Sequence, residues 1–267
     1  MGENPVISRA ALHYWEEPPI SGTNGSGTVF FSGCNLQCKF CQNKEISRGG
    51  IGKEVSAQRL REIYFDLIEQ GAHNINLVTA THFVNAVKES LSEPLPVPVV
   101  YNCGGYESVE TLKTLEGKIQ VYLPDLKYSD NALALKYSNA PNYFETATDA
   151  IIEMYRQVGD CEIDENGIIK KGVIIRHLIL PNQLENTKGV IDWVSRNFSQ
   201  GEVLFSLMSQ FTPNGECDED ELSRRLNQDE YDEIAQYLFD SGIEDGFMQE
   251  LSSASEEYIP PFDLTGV

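Results

Sequence analysis

The sequence predicts an α/β fold, a partial barrel of six parallel β/α units left open on one side. Three features predict it. Short apolar runs recur along the chain: TVFF (28–31), INLV (75–78), VPVVY (97–101), IQVYL (119–123), VIIRHLIL (173–180) and VLFSLM (203–208). Segments with helical spacing separate them, the pattern of βαβ units and a parallel sheet. The length, 267 residues with 41% hydrophobic side chains, suits one barrel with a substantial core. Right-handed crossovers curl such units into a barrel, and barrel chemistry gathers at the C-terminal ends of the strands.

Residues 1–26 read as a lead-in, 27–250 as the core domain and 251–267 as a tail. GTNGSG (22–27) precedes a strand, whereas phosphate cradles follow one and open a helix; it predicts a flexible connection. In SAQRLREIYFDLIEQG, Leu60, Ile63, Tyr64, Leu67 and Ile68 form one apolar face. Ser56 caps its start and Gly71 its end. Further helices are read from Phe83, Val87 and Leu91, from Val109, Leu112 and Leu115, and from Val190, Ile191, Val194 and Phe198. Tyr231, Ile234, Ala235 and Leu238 mark the last one. The stretch 128–158 is helical twice, broken at Pro141. CEIDENGIIKKG (161–172) predicts a hairpin around Asn166-Gly167. From Ser252 on, the chain reads as irregular.

The formal net charge is −21, with 41 acidic and 20 basic residues. Nucleic-acid binders show a basic stripe, and an acidic surface repels phosphate and anionic headgroups. Neither nucleic acid nor a membrane is an expected partner. No apolar run reaches the about 18 residues of a membrane span. MGENPVISRAALHYWEEPP lacks the charged start and apolar block of a secretory signal, so a cytoplasmic protein is expected. Residues 216–267 hold 16 acidic and 2 basic side chains, a net −14, and the dense run ECDEDE (216–221) predicts a solvated loop.

Six cysteines in a chain of this length are no disulfide framework, and in a reducing cytosol a tight cysteine group signals a metal site. GCNLQCKFCQN (33–43) sets Cys34, Cys38 and Cys41 in the spacing C-x3-C-x2-C, directly after the first strand. Gly33 permits a sharp turn there. Structural zinc takes four ligands, usually in two pairs, and neither His13 nor His73 completes such a pattern. Inert buried thiols have no reason to crowd one loop. A [4Fe–4S] cubane on three cysteines leaves one iron open to an exogenous group, which accounts for the odd number.

With Phe40 just before the third cysteine, this spacing resembles the signature of the radical S-adenosylmethionine (SAM) enzymes. GTVFFSGCNLQCKFCQN, YLPDLKYSD, VIIRHLILPN and FSLMSQFTP together resemble the glycyl-radical-enzyme activating enzymes. More narrowly, they are similar to pyruvate formate-lyase activating enzyme homologues, over nearly the whole chain. The resemblance implies a partial (β/α)6 TIM-like barrel of the radical SAM type, with a [4Fe–4S] cluster on Cys34, Cys38 and Cys41. It implies that the open iron chelates SAM, whose reductive cleavage gives methionine and a 5′-deoxyadenosyl radical. That radical abstracts hydrogen from a substrate.

Carried over residue by residue, the resemblance implies SAM contacts along the strand ends. Activating enzymes hold the SAM amino group on a GGE-type turn; here Thr79, Ala80 and Thr81 stand in its place, without the negative charge. Thr81 also has the position of a cap for the helix beginning at His82. Asn102 and Cys103 match a polar pair against the methionyl or ribose part, and Gly104 and Gly105 permit close backbone approach. Asp125 and Lys127 match a DxK motif and fall on one side of an extended segment. Arg176 matches an arginine pointed into the barrel, where a guanidinium forks onto a carboxylate. By alternation, His177 faces the helices. Ser209 and Gln210 lie where the adenosine is contacted. Cys103, Cys161 and Cys217 form no further motif, so one cluster is expected.

The family name implies a glycyl radical enzyme as the protein substrate, with flavodoxin or ferredoxin as electron donor and function under anaerobic conditions. A different peptide or small-molecule target is the alternative. An electron-transfer protein without SAM cleavage is a third reading, opposed by the cations Lys127 and Arg176. Longer relatives often carry extra cysteine-rich sequence ahead of the equivalent of Val6; the expectation is that this chain works without it or is a shortened form.

Overall fold

The computed structural model describes residues 3–214, 220–253 and 260–267. A strand that no apolar run announced comes first: β1 (Val6–His13), followed by a short helix α1 (Pro18–Ser21) and by β2 (Ser26–Phe31). β1 and β2 are antiparallel, from Ile7 opposite Phe31 to His13 opposite Ser26. Then come α2 (Lys44–Ser47), β3 (Lys53–Glu54), α3 (Ala57–Glu69), β4 (Ile75–Val78), α4 (Val84–Ser90), β5 (Val99–Cys103), α5 (Val109–Lys113) and β6 (Val121–Pro124). The chain continues through α6 (Asn131–Ser138), α7 (Tyr143–Val158), β7 (Glu162–Ile163), β8 (Ile169–Leu178), α8 (Leu184–Asn197), β9 (Leu204–Met208), α9 (Gln228–Asp240) and β10 (Gly246–Met248).

The strand order is β10-β9-β8-β6-β5-β4-β2-β1-β3, with β7 paired to β8. The six expected strands β2, β4, β5, β6, β8 and β9 all run parallel, and β10 adds a further parallel strand beside β9. No pairing joins β10 to β1 or β3 among the described residues, so the barrel is open on that flank. The predicted hairpin is present: β7 folds back on β8, and Gly167 adopts φ +80° at its turn.

The helices follow the predicted spacing. In α3, Leu60, Ile63, Tyr64 and Leu67 are buried, and Ser56 accepts from the Arg59 amide at 3.1 Å. Burial of each such aliphatic side chain contributes about 1.5–3 kcal/mol. The break at Pro141 separates α6 from α7, with Asn139 and Asn142 in left-handed conformation. Alternation along the strands divides the core in two. Leu77, Tyr101, Tyr122, Ile175 and Phe205 lie in the larger cluster with the helices. Val100, Val121, Leu123, Ile174 and Leu204 form a separate cluster inside the barrel, and Ile20 of α1 joins it. The segment after β1 therefore plugs the barrel interior.

The chain's end is tied down. The Leu264 amide donates to the Ser8 carbonyl at 3.0 Å, the Ala10 amide to the Thr265 carbonyl at 2.8 Å, and Arg9 pairs with Asp263 at 2.8 Å. Most of the acidic run ECDEDE and Cys217 lie outside the described residues. Its last member, Glu221, accepts from Lys136 at 2.8 Å and Tyr137 at 2.7 Å. Among the described residues, no helix is long and apolar enough to cross a membrane.

Candidate active site

The cysteine loop leaves β2 through Gly33, whose φ of +90° is open to glycine at little cost. Two backbone bonds seat it on the end of α6: the Gln37 amide to the Ser138 carbonyl at 3.0 Å, and the Lys39 amide to the Tyr137 carbonyl at 2.8 Å. Asn35 and Asn214 pin the loop further, donating to the carbonyls of Tyr106 and Lys39. Cys34, Cys38 and Cys41 line one cavity of about 260 Å³ at the C-terminal ends of the parallel strands. Polar hydrogens approach two of the sulfurs: the Leu36 amide lies 3.4 Å from Cys34 Sγ and the Ser138 hydroxyl 3.0 Å from Cys38 Sγ. Ser47 Oγ lies 3.4 Å from Cys41 Sγ. Burial pushes the Cys34 thiol up to about 12, and pushes Cys38 up against the pull of Lys127. Phe40 also lines the cavity and packs edge-on against Phe211, 5.9 Å between ring centres.

Opposite the cysteines stands a charge network. Lys127 Nζ lies 2.5 Å from Asp125 Oδ2, and Arg176 Nε lies 2.8 Å from Asp125 Oδ1. Arg176 also donates to Asn102 Oδ1 at 2.7 Å. Burial disfavours each charge, but Arg176 and Lys127 together hold the Asp125 carboxyl below its usual range, and Asp125 in turn keeps Lys127 protonated. Asn102, Cys103, Asp125, Lys127 and Arg176 all line the same cavity as the cysteines. Tyr143 braces this wall, its hydroxyl 2.8 Å from the carbonyls of both Gly104 and Asp125 and accepting from the Lys127 amide at 3.0 Å.

Two predicted residues diverge. Thr79 lines the cavity with φ +60°, so the turn keeps a glycine-type conformation although the residue is β-branched. Thr81 is not in the cavity lining. It makes no helix cap either; its hydroxyl donates to Glu107 Oε1 at 2.6 Å, and Tyr101 donates to Glu107 Oε2 at 3.2 Å. Burial raises Glu107 to about 7. Gln210 lines the cavity, whereas Ser209 is turned to the carbonyls of Gln249 and Glu250. His177 lies outside the barrel, with Nδ1 2.6 Å from the Leu126 carbonyl and Nε2 3.0 Å from Thr187 of α8.

Two residues here were not anticipated. Glu16 reaches into the barrel and accepts from Asn76 at 2.7 Å, Asn102 at 2.6 Å and Arg176 at 3.2 Å. Glu17 accepts from Ser206 at 3.1 Å. Two adjacent acids ahead of Pro-Pro carry no spacing signal, so only the fold brings them to the site. Asn76, an amide inside the apolar run INLV, was the available clue to an acceptor in the lumen.

Comparison with known proteins accords with this geometry. A 4Fe-4S single cluster domain profile matches residues 20–91, the segment that holds all three cysteines. An uncharacterized protein of Methanocaldococcus jannaschii is 30% identical over 238 residues. The match covers 85% of this chain and 64% of that protein, so the chain spans less than two thirds of its relative's length. Among solved structures, Streptococcus suis SuiB superposes with TM-score 0.53 at 13% identity, over 86% of this chain and 50% of that one. SuiB has been solved bound to S-adenosylmethionine and bound to its precursor peptide SuiA. Methylornithine synthase (PylB) superposes with TM-score 0.54 at 17% identity, over 80% of this chain and 62% of that one. The chain shares the fold of these proteins, and its cysteine segment matches a 4Fe-4S single cluster domain. The matched profile is that of a [4Fe–4S] domain, and S-adenosylmethionine is the ligand of SuiB, a protein of the same fold. Among the described residues, no three His, Cys, Asp or Glu side chains converge on a single ion; a cubane asks only one thiolate per iron.

Proposed function

We propose that the chain is a radical SAM enzyme that takes a hydrogen atom from a protein or peptide substrate, glycyl-radical-enzyme activation being the foremost case. The observation that carries this reading is the meeting, in one cavity, of Cys34, Cys38 and Cys41 with Asp125, Lys127 and Arg176. In this reading the three cysteines hold the cluster. Burial pushes the Cys34 and Cys38 thiols up, so metal charge would favour their ionised forms, and the Leu36 amide and Ser138 hydroxyl would stabilise the resulting sulfur charge. Lys127 and Arg176 orient the SAM carboxylate. Asp125 fixes both cations and accepts from the SAM amino group, the task an acidic turn residue performs in activating enzymes. Asn102, Phe40 and Thr79 complete the wall, and Thr81 acts only by fixing Glu107 beneath the turn. When bound and reduced, cluster and SAM together supply methionine and a 5′-deoxyadenosyl radical.

The open flank supports a macromolecular substrate, and the SuiB fold is one that accepts a precursor peptide. Flavodoxin or ferredoxin is the proposed electron donor, in the cytoplasm and under anaerobic conditions, since oxygen degrades an exposed cluster. The test is anaerobic. The chain is reconstituted with iron and sulfide, reduced with dithionite and given SAM, and 5′-deoxyadenosine is assayed against Cys38→Ala. Deoxyadenosine from the intact chain alone is expected. None from a fully loaded chain, together with no SAM-induced change in the reduced cluster's paramagnetic spectrum, overturns the reading in favour of electron transfer.

A further inference from the structure

A second cavity, of about 420 Å³, adjoins the first. The two share Trp15, Glu16, Arg176, Met208 and Gln210. Its remaining wall is Glu17, Pro18, Ser206 and Phe247–Gln249. It therefore lies on the open flank, between the segment after β1 and the last strand.

Glu17 stands out within it. The residue is only 8% exposed. Its Oε1 accepts from Ser206, but its Oε2 is buried with no hydrogen-bond partner among the described residues. Arg176 is 3.8 Å from that oxygen and already serves Asp125, Asn102 and Glu16. An unsatisfied buried oxygen is costly, more so on a charged group. The charges around the cavity do not balance either. With Glu17 ionised, Glu16, Glu17 and Asp125 face only Lys127 and Arg176 among the described residues. A water molecule would supply a hydrogen bond to Oε2 but not the missing positive charge.

We propose that this cavity is a substrate subsite for a cationic nitrogen, an ammonium or guanidinium group on an apolar stem, which donates to Glu17 Oε2. Trp15 and Phe247 offer aromatic surface to the stem and to the cation. Burial raises Glu17 to about 7; a cation against Oε2 favours the ionised form, so ligand entry and ionisation reinforce each other. That the occupant is a substrate rests on the radical SAM reading. The cation preference rests on the cavity alone.

The test is calorimetric titration of the reconstituted chain, with SAM present, using n-butylguanidinium, n-butylammonium and the neutral n-butylurea. Wild type is expected to bind the cations at least about tenfold more tightly than the urea. Glu17→Gln is expected to lose that preference, with its fold checked by circular dichroism and melting. Equal affinity of wild type for cations and urea, or no binding of any probe, overturns the proposal without recourse to the variant. If Glu17→Gln loses affinity for SAM together with the cations, the carboxylate belongs to SAM and the subsite reading fails. A capped Gly-Lys-Gly peptide separates the sources: binding tighter than n-butylammonium supports a peptide side chain as the donor, and weaker binding supports a free amine, the cation subsite standing in both cases. Deoxyadenosine is not the readout, so failure of the radical chemistry and failure of this subsite are told apart.

Discussion

Replacing Arg176 by Met removes the centre of the charge network while keeping an apolar stem. Arg176 is about one-eighth exposed (12% of its side chain), so water screens its interactions little. It donates to Asp125 at 2.8 Å, to Asn102 at 2.7 Å and to Glu16 at 3.2 Å. Taken singly, hydrogen bonds to charged groups contribute about 1.5–3 kcal/mol each, and three sum to roughly 4.5–9 kcal/mol. That sum overshoots, because neighbours in one network are not additive. Removing one partner of a buried pair costs about 3–5 kcal/mol, so about 4 kcal/mol is the working value. For a chain of this size, at roughly 2–4 °C per kcal/mol, the melting temperature should fall by about 8–16 °C. The assay is anaerobic thermal unfolding of wild type, Arg176→Met, Asp125→Asn and the double variant at pH 7. Asp125→Asn should cost less by about 1–3 kcal/mol in the Arg176→Met background than alone. The deficit of Arg176→Met should shrink on acidification, because Asp125 and Glu17 lose the cation that favours their ionised forms and take up protons instead. A fall under about 2 °C, or strict additivity with Asp125→Asn, would refute the claim that this arginine neutralises the lumen.

Three further changes probe the surrounding frame. Burial raises Glu107 from 4.5 to about 7, so the folded state takes up its proton first and the native chain loses stability as pH rises through that window. Glu107→Gln should flatten this loss, worth up to about 3 kcal/mol; urea midpoints of both proteins at pH 5 to 8 that ran parallel would sink the idea. Thr79→Gly should relieve a β-branched residue at φ +60°. Strain of about 1–3 kcal/mol less a glycine entropy of about 0.5–1 kcal/mol leaves a net gain of about 1 kcal/mol, read as a higher melting temperature. Gly105 has φ +78°, and a methyl group there would overlap the Asp125 carbonyl. Gly105→Ala should cost roughly 2–5 kcal/mol and weaken SAM binding, measured by equilibrium dialysis, through displacement of Asp125.

Much of the barrel was legible because its signals are local. Six apolar runs became the parallel strands β2, β4, β5, β6, β8 and β9, and Ser56, Pro141 and Asn166-Gly167 marked a cap, a break and a turn where the structure has them. β1 was not legible. In VISRAALH the apolar and polar residues do not alternate cleanly, because the strand is covered by β2, by β3 at its start and by the chain's end along Ser8 and Ala10. β10 was missed for a similar reason: GFM is short, and its pairing with β9 is set across 41 residues of sequence, Gly246 opposite Phe205.

The site divides along the same line. Cys34, Cys38 and Cys41 are visible because one loop supplies all three, and Asp125 and Lys127 because one extended segment does. Arg176 was visible as a charge in an otherwise apolar strand. The same logic applies to the partners of that charge. A guanidinium has five N–H donors, and Asp125 takes only one of them at hydrogen-bond distance. A buried arginine therefore demands further acceptors, and Asn76 and Asn102 mark where the lumen is polar. What no local rule supplies is the identity of those acceptors. Glu16 meets Asn102 across 86 positions and Arg176 across 160. In the sequence, YWEEPP is indistinguishable from a solvated acidic turn. It becomes part of the site only because Ile20, a few residues on, is apolar enough to bury α1 among Val100, Val121 and Leu123, which draws the two glutamates into the lumen. The physical cause of the acidic cavity is thus an apolar anchor, and an Ile20→Asp substitution should disrupt the lumen charges without touching any of them.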